Sequence, residues 1–172
     1  MNKPISSIFS LLILSFLYFP NLHADPKKLE KPLTSGFNHV GLSVTHLDKS
    51  TSFFVDTLGW RLTGGDKDYP ANFVTDGKIF LTLWQIKSPA TAIKFNRKNN
   101  VGLHHLAISV PDFKTLDRIY ERVKKVDGVV IEFAPELAYG GPTKHMMLRE
   151  PSGNRLEFAH NPPRKKNKVK NN

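Results

Sequence analysis

Two nonapeptides, "GFNHVGLSV" at residues 36–44 and "GLHHLAISV" at residues 102–110, hold His39 and His105 at the same place in a repeated pattern. Gly36 matches Gly102, Ser43 matches Ser109 and Val44 matches Val110, while Asn38 stands against His104. Side chains of an extended chain alternate faces. His39, Gly41 and Ser43 therefore share one face, and His105, Ala107 and Ser109 share its counterpart. The other face carries Val40, Leu42 and Val44, or Leu106, Ile108 and Val110, which suits a covering helix. His104 falls on that helix-side parity, so His105 is the expected ligand of the doublet. A third group, Glu157 in "NRLEFAH", lies between Leu156 and Phe158 and so faces away from both. An acid in an apolar strand is costly to bury uncompensated. Histidines in strands are commonly plain core or surface residues. The in-register repeat together with Glu157 suits instead one divalent ion, with positions left open for substrate or water. Fe, Mn, Zn and Ni all suit this donor set, and the absence of cysteine excludes thiolate sites and cysteine nucleophiles.

The elements that must position these groups repeat as well. A strand over 37–44 leads to a helix from an Asp48 cap to about Leu58, closed by Gly59. Short strands over 60–63, 70–75 and 79–86 follow, separated by "GGDKDYP" and "DG" turns. The second copy has a strand at 103–110, then Pro111 and Asp112 as a helix start. Leu116, Ile119, Tyr120 and Val123 form the apolar stripe of that helix, which ends near Gly128. Strands at 129–134, 143–149 and 154–160 complete it, the last two joined by the "EPSGN" turn. Each half reads β-α-β-β-β, and a half of this size buries its sheet only by pairing with the other. The fold class expected is α+β: two tandem modules, 36–87 and 102–161, forming one cupped open mixed sheet with helices on the outer face.

The chain has 172 residues, 40% hydrophobic, which allows one globular domain at 36–161. Residues 1–24 read as a signal peptide, with Lys3, the apolar run "IFSLLILSFLYF" and a cleavage site at Ala24. The mature protein is then expected to be exported, periplasmic or secreted. Residues 25–35, with two prolines and mixed charge, read as a linker. The formal net charge is +10, and five of the cations are Arg164, Lys165, Lys166, Lys168 and Lys170 in the acid-free tail 162–172. Such a tail reads as a solubilising terminus able to make weak contact with anionic surfaces. The fold itself shows no basic face interleaved with aromatics, so no nucleic-acid partner is expected.

"FNHVGLSV", "TLGW", "LHHLAISV" and "LREPSGNRLEF" together resemble the vicinal-oxygen-chelate superfamily of glyoxalases, extradiol dioxygenases, fosfomycin-resistance enzymes and bleomycin-binding proteins. The resemblance runs from about Phe37 to His160. It implies paired β-α-β-β-β modules around a cup, a metal in the cup, and ligands at His39, His105 and Glu157. In glyoxalase I a fourth ligand, a glutamate, sits in the last strand of the first module, where alignment places Thr82. A hydroxyl is a poor substitute for a carboxylate, and Gln85 has the wrong parity. The three-ligand dioxygenase and fosfomycin-resistance branches are the better match.

The function expected is that of a divalent-metal enzyme, a lyase, isomerase or dioxygenase, that chelates a small substrate through vicinal oxygens. The alternative is a non-catalytic, bleomycin-resistance-like protein that sequesters a small molecule. Glu157 and Tyr139, in the glycine-rich loop "LAYGGPTKH", are the expected catalytic residues; the alternative for Tyr139 is a plain surface turn. Thr82 and Trp84, of one parity, are the expected substrate-pocket residues; the alternative for Trp84 is a plain core aromatic. Of Lys144 and His145, parity leaves open which enters the cup. The protein is expected to be a monomer or homodimer, with one chain supplying a complete site from both modules.

Overall fold

Each half of the chain folds as β-α-β-β-β, and the apolar alternation of its first strand sets the layering. The computed structural model describes residues 32–163, with Tyr139 described for its backbone alone. The expected signal segment 1–24, most of the expected linker and the basic tail from Arg164 lie outside the described residues. The first half comprises β1 (Val40–Val44), α1 (Leu47–Ser52) continued by a π-helical turn (Phe53–Thr57), β2 (Arg61–Asp66), β3 (Ala71–Thr75) and β4 (Phe80–Gln85). The second comprises β5 (Leu106–Ser109), α2 (Phe113–Val123), β6 (Val130–Leu137), β7 (Lys144–Arg149) and β8 (Arg155–His160). Short 3-10 turns lie at Pro89–Thr91 and Ala138–Gly140.

Hydrogen bonding gives two four-stranded mixed sheets of the same order, β1-β4-β3-β2 and β5-β8-β7-β6. In each the first strand runs parallel to the fourth, and the other pairings are antiparallel. Leu42, Val44, Leu81 and Leu83 from one sheet join Ile108, Val110, Leu156 and Phe158 from the other in a single core that also takes in Phe53, Phe54, Leu116 and Val123. Burying each of those phenylalanines contributes about 1.5–3 kcal/mol. The helix-bearing faces of both modules thus share one core. The faces that carry the small residues Gly41, Ser43 and Ala107 turn away from it.

Several boundaries differ from the sequence reading for identifiable reasons. The first strand begins at Val40, because Phe37 and His39 are exposed and outside the ladder. The cap of α1 is His46 and not Asp48, which lies inside the first turn, where a carboxylate is favoured by the helix dipole. That helix widens at Phe53, whose carbonyl accepts from the Leu58 amide at 3.2 Å. Gly59 then closes it as expected, at φ +78, a conformation only glycine adopts without strain. In α2 the expected cap is present, with Asp112 Oδ1 accepting from the Thr115 amide at 2.6 Å. β6 runs past residue 134 to Leu137, and its ladder shifts between Phe133 and Glu136, around a proline that has no amide to donate.

A buried carboxylate ties the modules together. Glu150, with no exposure, accepts from Ser50 Oγ at 2.6 Å and from the amides of Ser152 and Asn154 at 3.0 Å. The side-chain amide of Asn154 spans to the Ser43 carbonyl at 3.0 Å. The "EPSGN" turn is therefore a clasp between β1, α1 and β8.

Candidate metal centre

The alternation argument for Glu157 holds in three dimensions. Leu156 and Phe158 are buried in the core, and Glu157 pairs in register with Ala107 on the other face. His105, the residue before β5, reaches the same place: its Nε2 lies 3.0 Å from Glu157 Oε2. From β7, His145 Nδ1 donates to Glu157 Oε1 at 2.6 Å. One carboxylate thus lies between two imidazoles on the open face of the second module. The open choice between Lys144 and His145 is thereby settled. Lys144 points the other way, 2.6 Å from Asp117 of α2, because neighbours on a strand take opposite faces.

His39 is not in this group. It is exposed one residue before β1, where its Nδ1 donates to Asn38 Oδ1 at 2.8 Å and its ring meets Phe80 edge-on at 6.4 Å. Among the described residues no three His, Asp or Glu side chains converge as a metal site requires. Of the three expected ligands, the structure brings His105 and Glu157 together, while His39 pairs with Asn38. With the helix faces in a common core, the two histidine faces do not meet within the chain. The donors that do meet still suit a first-row divalent ion: an imidazole nitrogen and a carboxylate oxygen, 3.0 Å apart and aimed at each other. They amount to part of a centre that needs a further ligand.

His104 also departs from its predicted parity. The doublet precedes the first hydrogen-bonded residue of β5, so strand alternation does not yet govern it, and His104 Nδ1 lies 2.8 Å from His105 Nδ1. Desolvation, then the charges of Arg155, His105 and Arg97, lowers its pKa below the ordinary imidazole value. Beside it, Glu132 Oε2 accepts from Arg155 Nε at 2.7 Å and Oε1 from Arg149 Nε at 3.0 Å. Burial raises the Glu132 pKa, but the hydrogen bond and charge of Arg155, followed by Arg149 and Arg97, outweigh it and hold the carboxyl below its ordinary value. The sequence reading missed this triad, although a signal was there. The turn register places Arg149 directly opposite Arg155, and two facing cations demand a carboxylate.

Thr82 and Trp84 lie on the corresponding open face of the first module. The Thr82 hydroxyl accepts from Trp84 Nε1 at 2.8 Å, and both side chains lie beside Gly41 of β1. Trp84 packs against Tyr69 and Phe73 at centroid distances of 5.0 and 5.9 Å, and Phe73 against Phe80 at 6.1 Å. The result is an aromatic wall that runs toward His39. Gln85 points away and bonds the Leu47 amide and Thr45 carbonyl at the start of α1. His160 Nδ1 bonds the Val110 carbonyl at 2.9 Å. Tyr139 belongs to the turn Ala138–Gly140, and its side chain lies outside the described residues.

No curated protein sequence matches the chain significantly. Among solved structures, a glyoxylase/bleomycin resistance protein/dioxygenase domain from Frankia sp. EAN1pec is 25% identical with a TM-score of 0.63, over 77% of this chain and 96% of that one. The fosfomycin resistance protein FosX from Listeria monocytogenes is 16% identical with a TM-score of 0.59, over 77% and 96%. Lactoylglutathione lyase from Agrobacterium tumefaciens is 19% identical with a TM-score of 0.56, over 75% and 96%. The doubled module, both histidine strands and the glutamate strand up to Phe158 all lie in the segment that a family model matches. Over those residues, 36–158, the chain belongs to the Glyoxalase/Bleomycin resistance protein/Dioxygenase superfamily.

Proposed function

We propose that this protein is a divalent-metal enzyme acting on a small molecule with vicinal oxygens, and that its centre combines His105 and Glu157 of one copy with His39 of a second. The observation that carries the reading is the convergence of His105 Nε2 and Glu157 Oε2 at 3.0 Å, while the histidine in register with His105 stands exposed on the other module. β1 and β5 are the outermost strands of their sheets, each with its histidine at its N-terminal end. Apolar side chains flank both, with Phe37 97% and Leu103 54% exposed, as suits surfaces that a second copy covers. A twofold dimer would form two such sites at once. When bound, the ion supplies a Lewis acid with open positions for two substrate oxygens. His145 holds a proton at Nδ1 toward Glu157 Oε1, orienting the carboxylate. We place the mature chain outside the cytoplasm, which fractionation of cells expressing chains with and without residues 1–24 tests.

Metal content of separately purified and mixed variants tests the assignment. His39→Ala and His105→Ala each bind little metal alone under this reading. After co-refolding, heterodimers regain one intact site in two, about a quarter of a site per chain. A mixture as empty as its parts would refute the shared centre. A parent that takes up no Mn(II), Fe(II) or Zn(II) would favour the second reading, ligand sequestration on the aromatic wall without chemistry. Quenching of tryptophan fluorescence by small aromatic ligands, abolished in Trp84→Phe, would then be the expected result.

A further inference from the structure

We infer that the residues preceding the two histidines, Asn38 and His104, are matched positioning residues. Each accepts the Nδ1–H of its neighbour and so leaves that neighbour's Nε2 as the ligating atom. This rests on the metal reading above. In the first module the direction is set by chemistry: Asn38 Oδ1, 2.8 Å from His39 Nδ1, can only accept, so Nδ1 carries the proton. In the second, both partners are imidazoles, 2.8 Å apart at their Nδ1 atoms, and either could donate. Arg155 decides. Its Nη1 also faces His104 Nδ1, at 3.4 Å, and a guanidinium has no acceptor to offer at any distance. Arg155 cannot turn aside, because its Nε is held by Glu132 at 2.7 Å and its side chain is 9% exposed. His104 Nδ1 therefore presents its lone pair to both neighbours, and His105 Nδ1 is the donor. The one differing position of the repeat that is polar in both copies, Asn38 against His104, is then a functional equivalence, two acceptors at one position. Metal-bound imidazoles are fixed in this manner by a partner on the other nitrogen.

The two repeats also supply the conservative variants for the test. His104→Asn and Asn38→His each import the acceptor of the other module, whereas His104→Leu and Asn38→Leu remove it at similar size. Zinc affinity is measured by chelator competition on the full mature chain, and imidazole tautomers by nitrogen NMR at a pH where the rings are neutral. The expected result is a loss of about 10–100-fold in zinc affinity for either leucine variant, with near-parental affinity for the exchanges. NMR should report protonated Nδ1 at His39 in the zinc-free protein and at both histidines in the zinc-bound one. Leucine variants that bind as tightly as the parent, or exchanges that bind as poorly as the leucines, would overturn the inference. A parent that binds no zinc would sink the metal reading, and the His39 tautomer in zinc-free protein would still decide the positioning role. Protonation of His39 at Nε2 would overturn it.

Discussion

Replacing Glu150 measures how strongly the two modules are clasped. Its carboxylate has no exposure and four partners: Oε2 takes Ser50 Oγ at 2.6 Å and the Ser152 amide at 3.0 Å, and Oε1 takes the Asn154 amide at 3.0 Å and its Nδ2 at 2.9 Å. Alanine removes all four acceptors, leaves donors buried, and opens a cavity. Hydrogen bonds to charged groups contribute about 1.5–3 kcal/mol each, but the orphaned donors partly recover with water, so the sum overstates the loss. Each donor left buried without an acceptor costs about 1–3 kcal/mol, and with that partial recovery a total of about 2–4 kcal/mol is expected for Glu150→Ala. Glu150→Gln discriminates further. An amide NH2 in place of Oε2 can still meet Ser50, whose hydroxyl reverses toward Ser152 Oγ, 2.8 Å away. It then faces the Ser152 N–H, donor to donor, and one orphaned backbone donor costs about 1–3 kcal/mol. Urea unfolding followed by tryptophan fluorescence reads both, with the midpoint falling and the slope unchanged. An Ala variant within about 1 kcal/mol of the parent would refute the reasoning, as would a Gln variant worse than Ala.

Other outcomes follow from the same geometry. Glu132 has its folded pKa held below the ordinary 4.5. Its contribution to stability is therefore complete above that value and is lost as pH falls through the lower folded pKa. Glu132→Gln should thus lie below the parent in melting temperature at neutral pH and converge with it in strong acid; parallel curves would contradict the Arg149–Glu132–Arg155 triad. Asp112→Ala should lower the melting temperature, whereas Asp112→Asn, which keeps the capping oxygen, should restore most of it. Thr82→Val strands the Trp84 indole N–H and should cost about 1 kcal/mol, a loss that Trp84→Phe in the same chain largely cancels in a double-mutant cycle. If the centre is metal-loaded, chelation should lower the melting temperature, and His105→Ala protein should melt the same with or without chelator.

The legible parts of this protein are those written by local period and by repetition. The strand alternation put Leu156 and Phe158 in the core and Glu157 on the opposite face, and the 3.6-residue stripe with Asp112 gave α2 and its cap. Gly59 could be read because helix ends favour a residue free to take positive φ. The boundaries that slipped did so where the local rule had no hold. Residues 37–39 and 103–105 precede the first ladder hydrogen bond, so parity misplaced His104. A carboxylate two residues into a helix resembles a cap, as Asp48 did.

What the sequence alone determined is the β-α-β-β-β grammar, its doubling, the superfamily and the three residue types suited to one metal. Those depend on side-chain chemistry and on periods of two and 3.6 residues, which every short segment carries with it. Only the tertiary structure decided which of them meet. His105, Glu157 and His145 come together because β5, β8 and β7 share a sheet, with register fixed by their buried partners. His39 stays apart because the helix faces of both modules were joined in one core and clasped by Glu150. That choice depends on contacts about a hundred residues apart along the chain, Ser50 to Glu150 above all, and no local pattern encodes such a distance.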